Sequence, residues 1–163
     1  MLIALPLVLA AAAPTASEAV LKLYRDACVV GEFQLTPQNG ELVEGARMPS
    51  IALDFETVVP TKVLYIRMKE PADTDVVIEQ FDGVPKAKFQ SICRVASRSW
   101  AEREARMAFV DGVEGKFTVM DLRDAGHPFE PYEIDQPKTG LRKRLTIHDD
   151  WVVVETAIYK DAK

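Results

Sequence analysis

Residues 141–159 read LRKRLTIHDDWVVVETAIY. Two runs rich in β-branched and aromatic residues flank a polar turn, the pattern of an antiparallel hairpin. Strands Leu141 to Ile147 and Trp151 to Tyr159 turn through His148, Asp149 and Asp150. Pairing His148 with Trp151 sets Leu141, Lys143, Leu145 and Ile147 opposite Ile158, Thr156, Val154 and Val152. Arg142, Arg144, Thr146 and His148 then share the other face with Trp151, Val153, Glu155 and Tyr159, and Arg144 stands opposite Glu155.

Upstream, the strands read the same way. Lys62 to Lys69 and Asp75 to Phe81 are joined by Glu70-Pro-Ala-Asp-Thr74, a polar turn whose proline interrupts any ladder. Further strands are expected at Ile51 to Val59, at Phe89 to Ser97 with Phe89, Cys93 and Val95 on one face, and at Lys116 to Leu122. Gly31 to Ser50 is dense in Gly, Pro and Asn and reads as loop with one short strand at Glu32 to Leu35.

Two helices complete the pattern. Thr15 and Glu18 form a T-x-x-E capping box ahead of an apolar stripe from Ala16 through Leu23 and Tyr24 to Cys28. Ser99 with Glu102 repeats the box, followed by a narrow stripe of Ala101, Ala105, Ala108 and Phe109 that ends at Asp111-Gly112. No internal repeat is visible. The order helix, strands, helix, hairpin predicts an α+β fold: two layers, a mainly antiparallel sheet with helices on one face.

Composition sets outer bounds. The 163 residues are 48% hydrophobic and 28% charged, values of an ordinary globular chain that forms one domain, residues 13–163. With 20 basic against 25 acidic residues and a net charge of −5, the chain has no basic stripe to track a phosphate backbone, and nucleic acid is excluded as an expected partner.

Leu2 to Ala13 is an apolar run too short for a membrane span of about 20 residues and matches the core of a secretory signal. Alanines at its end supply the small residues a signal peptidase requires, and Pro14 disfavours cutting directly before it, so residues 1–12 are read as the signal peptide. No Lys or Arg precedes Lys22, so the basic n-region is missing and a start upstream of Met1 is expected. The competing interpretation, a buried helix of a cytoplasmic protein, would show polar residues at a 3.6 period, and the run shows none. We therefore expect a periplasmic or secreted protein without stable membrane insertion after cleavage. Cys28 and Cys93 are the only cysteines, and in an exported chain they are expected to pair, for about 4 kcal/mol by the chain-entropy account.

Two places suit binding. The Pro-rich stretch around His127, Phe129 and Tyr132, within an irregular segment from Arg123 to Gly140, would present aromatic and acidic groups with little entropy left to lose. Arg142, Arg144, His148 and Trp151 on the hairpin would offer guanidinium forks and an indole to a small anionic or aromatic ligand. Against these stand ordinary roles: a solvated loop, and a cross-strand Arg144–Glu155 pair with Trp151 covering the turn. His127, Glu130 and Glu133 lack the fixed spacing of metal ligands, and no P-loop, dinucleotide motif, serine elbow or C-x-x-C occurs, so no metal, cofactor or catalytic residue is expected. The chain reads as an exported binding or accessory module of a bacterial-type cell envelope whose partner is an unknown protein or that small ligand. A small hydrolase using His127 or His148 with a neighbouring acid is the first alternative, and an inhibitor or immunity protein the second.

Overall fold

The computed structural model describes residues 13–43, 58–122, 132–148 and 150–160. The signal segment, most of the expected strand 51–59, and His127 and Phe129 lie outside them, while Val58 and Val59 belong to no strand.

Helix α1, Ala16–Tyr24, begins at the predicted capping box: Glu18 N donates to Thr15 Oγ1 and Thr15 N to Glu18 Oε2 at 2.8 Å. It continues into a π-helical turn, Arg25–Val29, that carries Cys28. Strands β1 (Gly40–Leu42), β2 (Lys62–Met68), β3 (Thr74–Gln80) and β4 (Phe89–Ser97) follow. Helix α2 spans Glu102–Val110, and β5 (Met120–Asp121), β6 (Tyr132–Gln136), β7 (Leu141–His148) and β8 (Trp151–Tyr159) close the chain.

The eight strands among the described residues join one sheet, every pair antiparallel, in the order β1-β2-β3-β4-β8-β7-β6-β5. Mixed α and β content with a purely antiparallel sheet agrees with the α+β expectation at that level. Val20, Leu23 and Tyr24 of α1 and Ala105, Ala108 and Phe109 of α2 form one core cluster with strand residues that include Val76, Cys93, Val95 and Val154. Phe81, Phe89, Ile92, Ala157 and Tyr159 form a second cluster.

The Cys28–Cys93 disulfide is present, with Cα atoms 5.4 Å apart, and ties the π-helical turn to β4. The β7–β8 register reproduces the expected pairing residue for residue, from Leu141 opposite Ile158 to His148 opposite Trp151.

Several local expectations are corrected. No strand forms at Glu32 to Leu35; the edge strand lies at Gly40–Leu42 instead. There, a Cβ on Gly40 would meet Ile66 Cγ2 and Leu35 Cδ1 at 3.0 Å, so close packing fixes the glycine. Helix α2 is capped at Ala101 without a side-chain bond, so Glu102 stands at its first position rather than the third that the box requires, and the Ser99 hydroxyl donates to Ala72 O. The strand expected at 116–122 is only Met120–Asp121, and β6 occupies the middle of the stretch read as irregular. Pro137 lies in the turn after β6 and not in the strand, so the ladder loses no donor there.

Among the described residues the element order is symmetric about one pair: α1 precedes β1 to β4, α2 precedes β5 to β8, and the two sets meet through antiparallel β4 and β8. Both sets are entered through a Gly-x-Phe segment, Gly31-Glu-Phe33 and Gly115-Lys-Phe117. Both glycines hold a left-handed φ, 72° and 70°, which favours glycine at each point.

Candidate functional site

The hairpin surface expected to bind anions is an ion-pair network. Glu155 sits at its centre, accepting from Arg94 Nε at 2.7 Å and from Arg142 Nη2 at 2.9 Å. Arg94 Nη1 also donates to Glu79 at 2.5 Å, and Arg144 Nε to Glu133 at 2.5 Å. The Tyr159 hydroxyl donates to Asp135 at 2.5 Å, and burial together with that carboxylate raises its pKa well above the ordinary phenol value. Arg94 and Arg142 are each only 3% exposed, and the Arg142 guanidinium lies 4.1 Å from the Phe89 ring centroid. Four carboxylates therefore stand among three guanidinium groups, and charge-assisted bonds between them offset the cost of burial. A bound anion would have to displace a carboxylate already held there.

Tyr132, His148 and Trp151 stand on three different strands. Trp151 is half-buried beneath the Arg98 guanidinium, 4.9 Å from its ring centroid, and Arg98 also pairs with Asp150 at 2.9 Å. Tyr132 opens β6 opposite Leu145 and packs against the first core cluster rather than projecting from a loop. His148 ends β7. Glu133, considered as a metal ligand, is engaged by Arg144, and among the described residues no group of three or more His, Cys, Asp or Glu is arranged to hold a metal ion.

Lys143 was named in the hairpin register but not as a site residue. It is completely buried on β7, and its ammonium donates to the Tyr24 hydroxyl, to Asp111 O at 2.8 Å and to Thr156 Oγ1 at 3.1 Å. Desolvation pushes its pKa down to about 7, opposed by the negative charge of Asp111. Burial also raises the Tyr24 phenol above its ordinary value. The sequence signal was present: a lysine in phase with Leu141 and Leu145 on the core-facing side of an alternating strand. Without exposure, this amine has no access to a substrate.

An open cavity is found elsewhere, along α1. A groove of about 690 Å³ runs between this helix, the segment 32–39 and the β2–β3 turn, which contains the cis Glu70–Pro71 peptide. Ala19, Leu23, Phe33, Met68 and Pro71 give it an apolar floor, and Leu23 and Met68 belong to the first core cluster. Glu18, Lys22, Asp26, Glu32 and Glu70 form its polar rim. Sequence reading missed this site because the groove joins three segments whose only local signals were a helix face, a loop and a turn.

Compared with known protein families, with curated proteins and with solved structures, the chain matches none.

Proposed function

We propose that the protein is an exported binding or accessory module, periplasmic or secreted in a bacterial-type envelope, and that its contact surface is the groove along α1. The groove carries this proposal: its volume falls in the range of about 300 to 1,000 Å³ typical of ligand sites, with an apolar floor and a few polar groups at the rim. The hairpin guanidinium groups are occupied by carboxylates, which moves the contact surface away from Arg142 and Arg144.

Export is supported by the apolar run at residues 2–13, read as a signal peptide of residues 1–12, and by the Cys28–Cys93 disulfide, since such bonds persist in oxidising compartments. Among the described residues no helix is long and apolar enough to cross a membrane. The helices' contacts with β4, β7 and β8 support a two-layer arrangement of residues 13–163 as one domain, with both helices on one face of the sheet. In that arrangement α1 offers its outer flank to the groove while its inner flank packs on the sheet.

The test is a nuclear magnetic resonance screen of short peptides and small fragments against isotope-labelled protein recovered from the periplasm of an expression host. Binding shifts concentrated at Leu23, Phe33 and Met68 are expected. Shifts confined to the Arg142, Arg144 and Trp151 surface, or none anywhere, would refute the assignment.

A further inference from the structure

We propose that the groove along α1 receives an extended peptide segment that places an apolar side chain on the floor and lysine or arginine residues at the rim. This inference rests on the groove being the contact surface and names the chemistry of what it takes.

Charge is the first observation. Four carboxylates, Glu18, Asp26, Glu32 and Glu70, line the groove against a single cation, Lys22. That cation is already spent: its ammonium lies 2.5 Å from Asp26. Glu18 is used in the capping box, accepting from Thr15 N. Glu32 and Glu70, both exposed, have no cationic partner among the described residues, in contrast to Glu79, Glu133 and Glu155 of the hairpin network, each paired with an arginine. An apolar floor lined by carboxylates of segment 32–39 and of the β2–β3 turn that no cation pairs is complementary to a chain that carries an apolar side chain beside basic ones.

Shape is the second. The wall formed by α1 from Ala16 to Asp26 extends about 15 Å at 1.5 Å per residue, the span of roughly five residues of extended chain. That is longer than a compact small molecule needs and leaves room for two charged flanks around one anchor. The floor residues Phe33 and Met68 suit such an anchor, since a thioether side chain adapts to varied apolar partners.

The experiment uses two fluorophore-tagged hexapeptides with the same apolar core, one flanked by lysines and one by glutamates. Anisotropy is read at about 20 mM and about 300 mM salt, on either side of effective screening. The lysine peptide should bind at least about tenfold more tightly than the glutamate peptide, with the gap narrowing at high salt. The doubly reversed variant Glu32→Lys/Glu70→Lys, at exposed positions, should keep the fold by circular dichroism and lose that preference. Equal binding of the two peptides at the groove would overturn the inference and leave the groove's role standing. Unchanged preference in the double variant would place the contact elsewhere, and absence of binding by either peptide up to millimolar concentration would remove both proposals. Tighter binding of an alkylammonium surfactant than of the lysine peptide would make a cationic small molecule the occupant. Self-association in the ultracentrifuge that the double variant abolishes would make it a second copy. Either result would overturn the peptide assignment.

Discussion

Lys143 shows how far one residue can be read without its surroundings. Its place on the core face follows from alternation alone, because Leu141, Lys143 and Leu145 share the period of the strand. What makes the burial tolerable does not follow, since its hydroxyl partner Tyr24 lies 119 residues away on a helix. Desolvation lowers the folded-state pKa from 10.5 to about 7, so folding must release the ammonium's proton between those values. The penalty on stability is complete below about pH 7 and disappears as pH rises toward 10.5. Urea denaturation of wild type and Lys143→Met at pH 7, 8 and 9 should therefore show wild type gaining on the variant, by up to about 1.4 kcal/mol per pH unit. A difference that stays constant over this range would mean that the amine titrates alike in both states.

At the scale of elements, capping and alternation were legible where a single segment carried the whole signal. The box at Thr15 and Glu18 formed as expected, and it also holds the end of the helix that walls the groove. Thr15→Ala should cost about 1 kcal/mol in chemical denaturation, as loss of a cap does, and should weaken peptide binding by fraying that wall. An unchanged denaturation midpoint would show that the groove holds the first turn without its cap. The same signature at Ser99 failed, because the helix starts two residues later, after Ala101, which leaves Glu102 out of the box position while the Ser99 hydroxyl donates to Ala72 O. Strand β6 was hidden in a proline-rich sequence, although Pro137 falls just after Tyr132–Gln136 and leaves its ladder intact. The ion pairs followed a similar rule. Arg144 was placed opposite Glu155 correctly, yet β6 was needed to bring Glu133 to it, and β4 to bring Arg94 to Glu155.

For the whole molecule, the α+β class and the antiparallel hairpins came from periodicity, whereas the joining of the two meanders did not. Contacts between β4 and β8 link residues about sixty positions apart, and nothing local specifies which strands meet at the centre of a sheet. The symmetric element order is likewise almost silent in sequence. The disulfide crosses from the end of α1 to that central strand, closing a loop that contains β1, β2 and β3. Its replacement by Cys28→Ser/Cys93→Ser should lower stability by about 2 to 5 kcal/mol, seen as an earlier urea midpoint. An unshifted midpoint would mean that the packing of α1 already supplies the constraint.

Export, the bridge and binding are linked, and one measurement reads them together: the intact mass of protein taken from the envelope fraction, native and denatured, with and without reduction and thiol alkylation. The account predicts a chain beginning at Ala13, two hydrogens lighter than its reduced form, closed to alkylation until reduced, and carrying under native conditions a ligand that the Glu32→Lys/Glu70→Lys variant loses. A chain that retains residues 1–12, alkylates at both cysteines without reduction and carries nothing would contradict it.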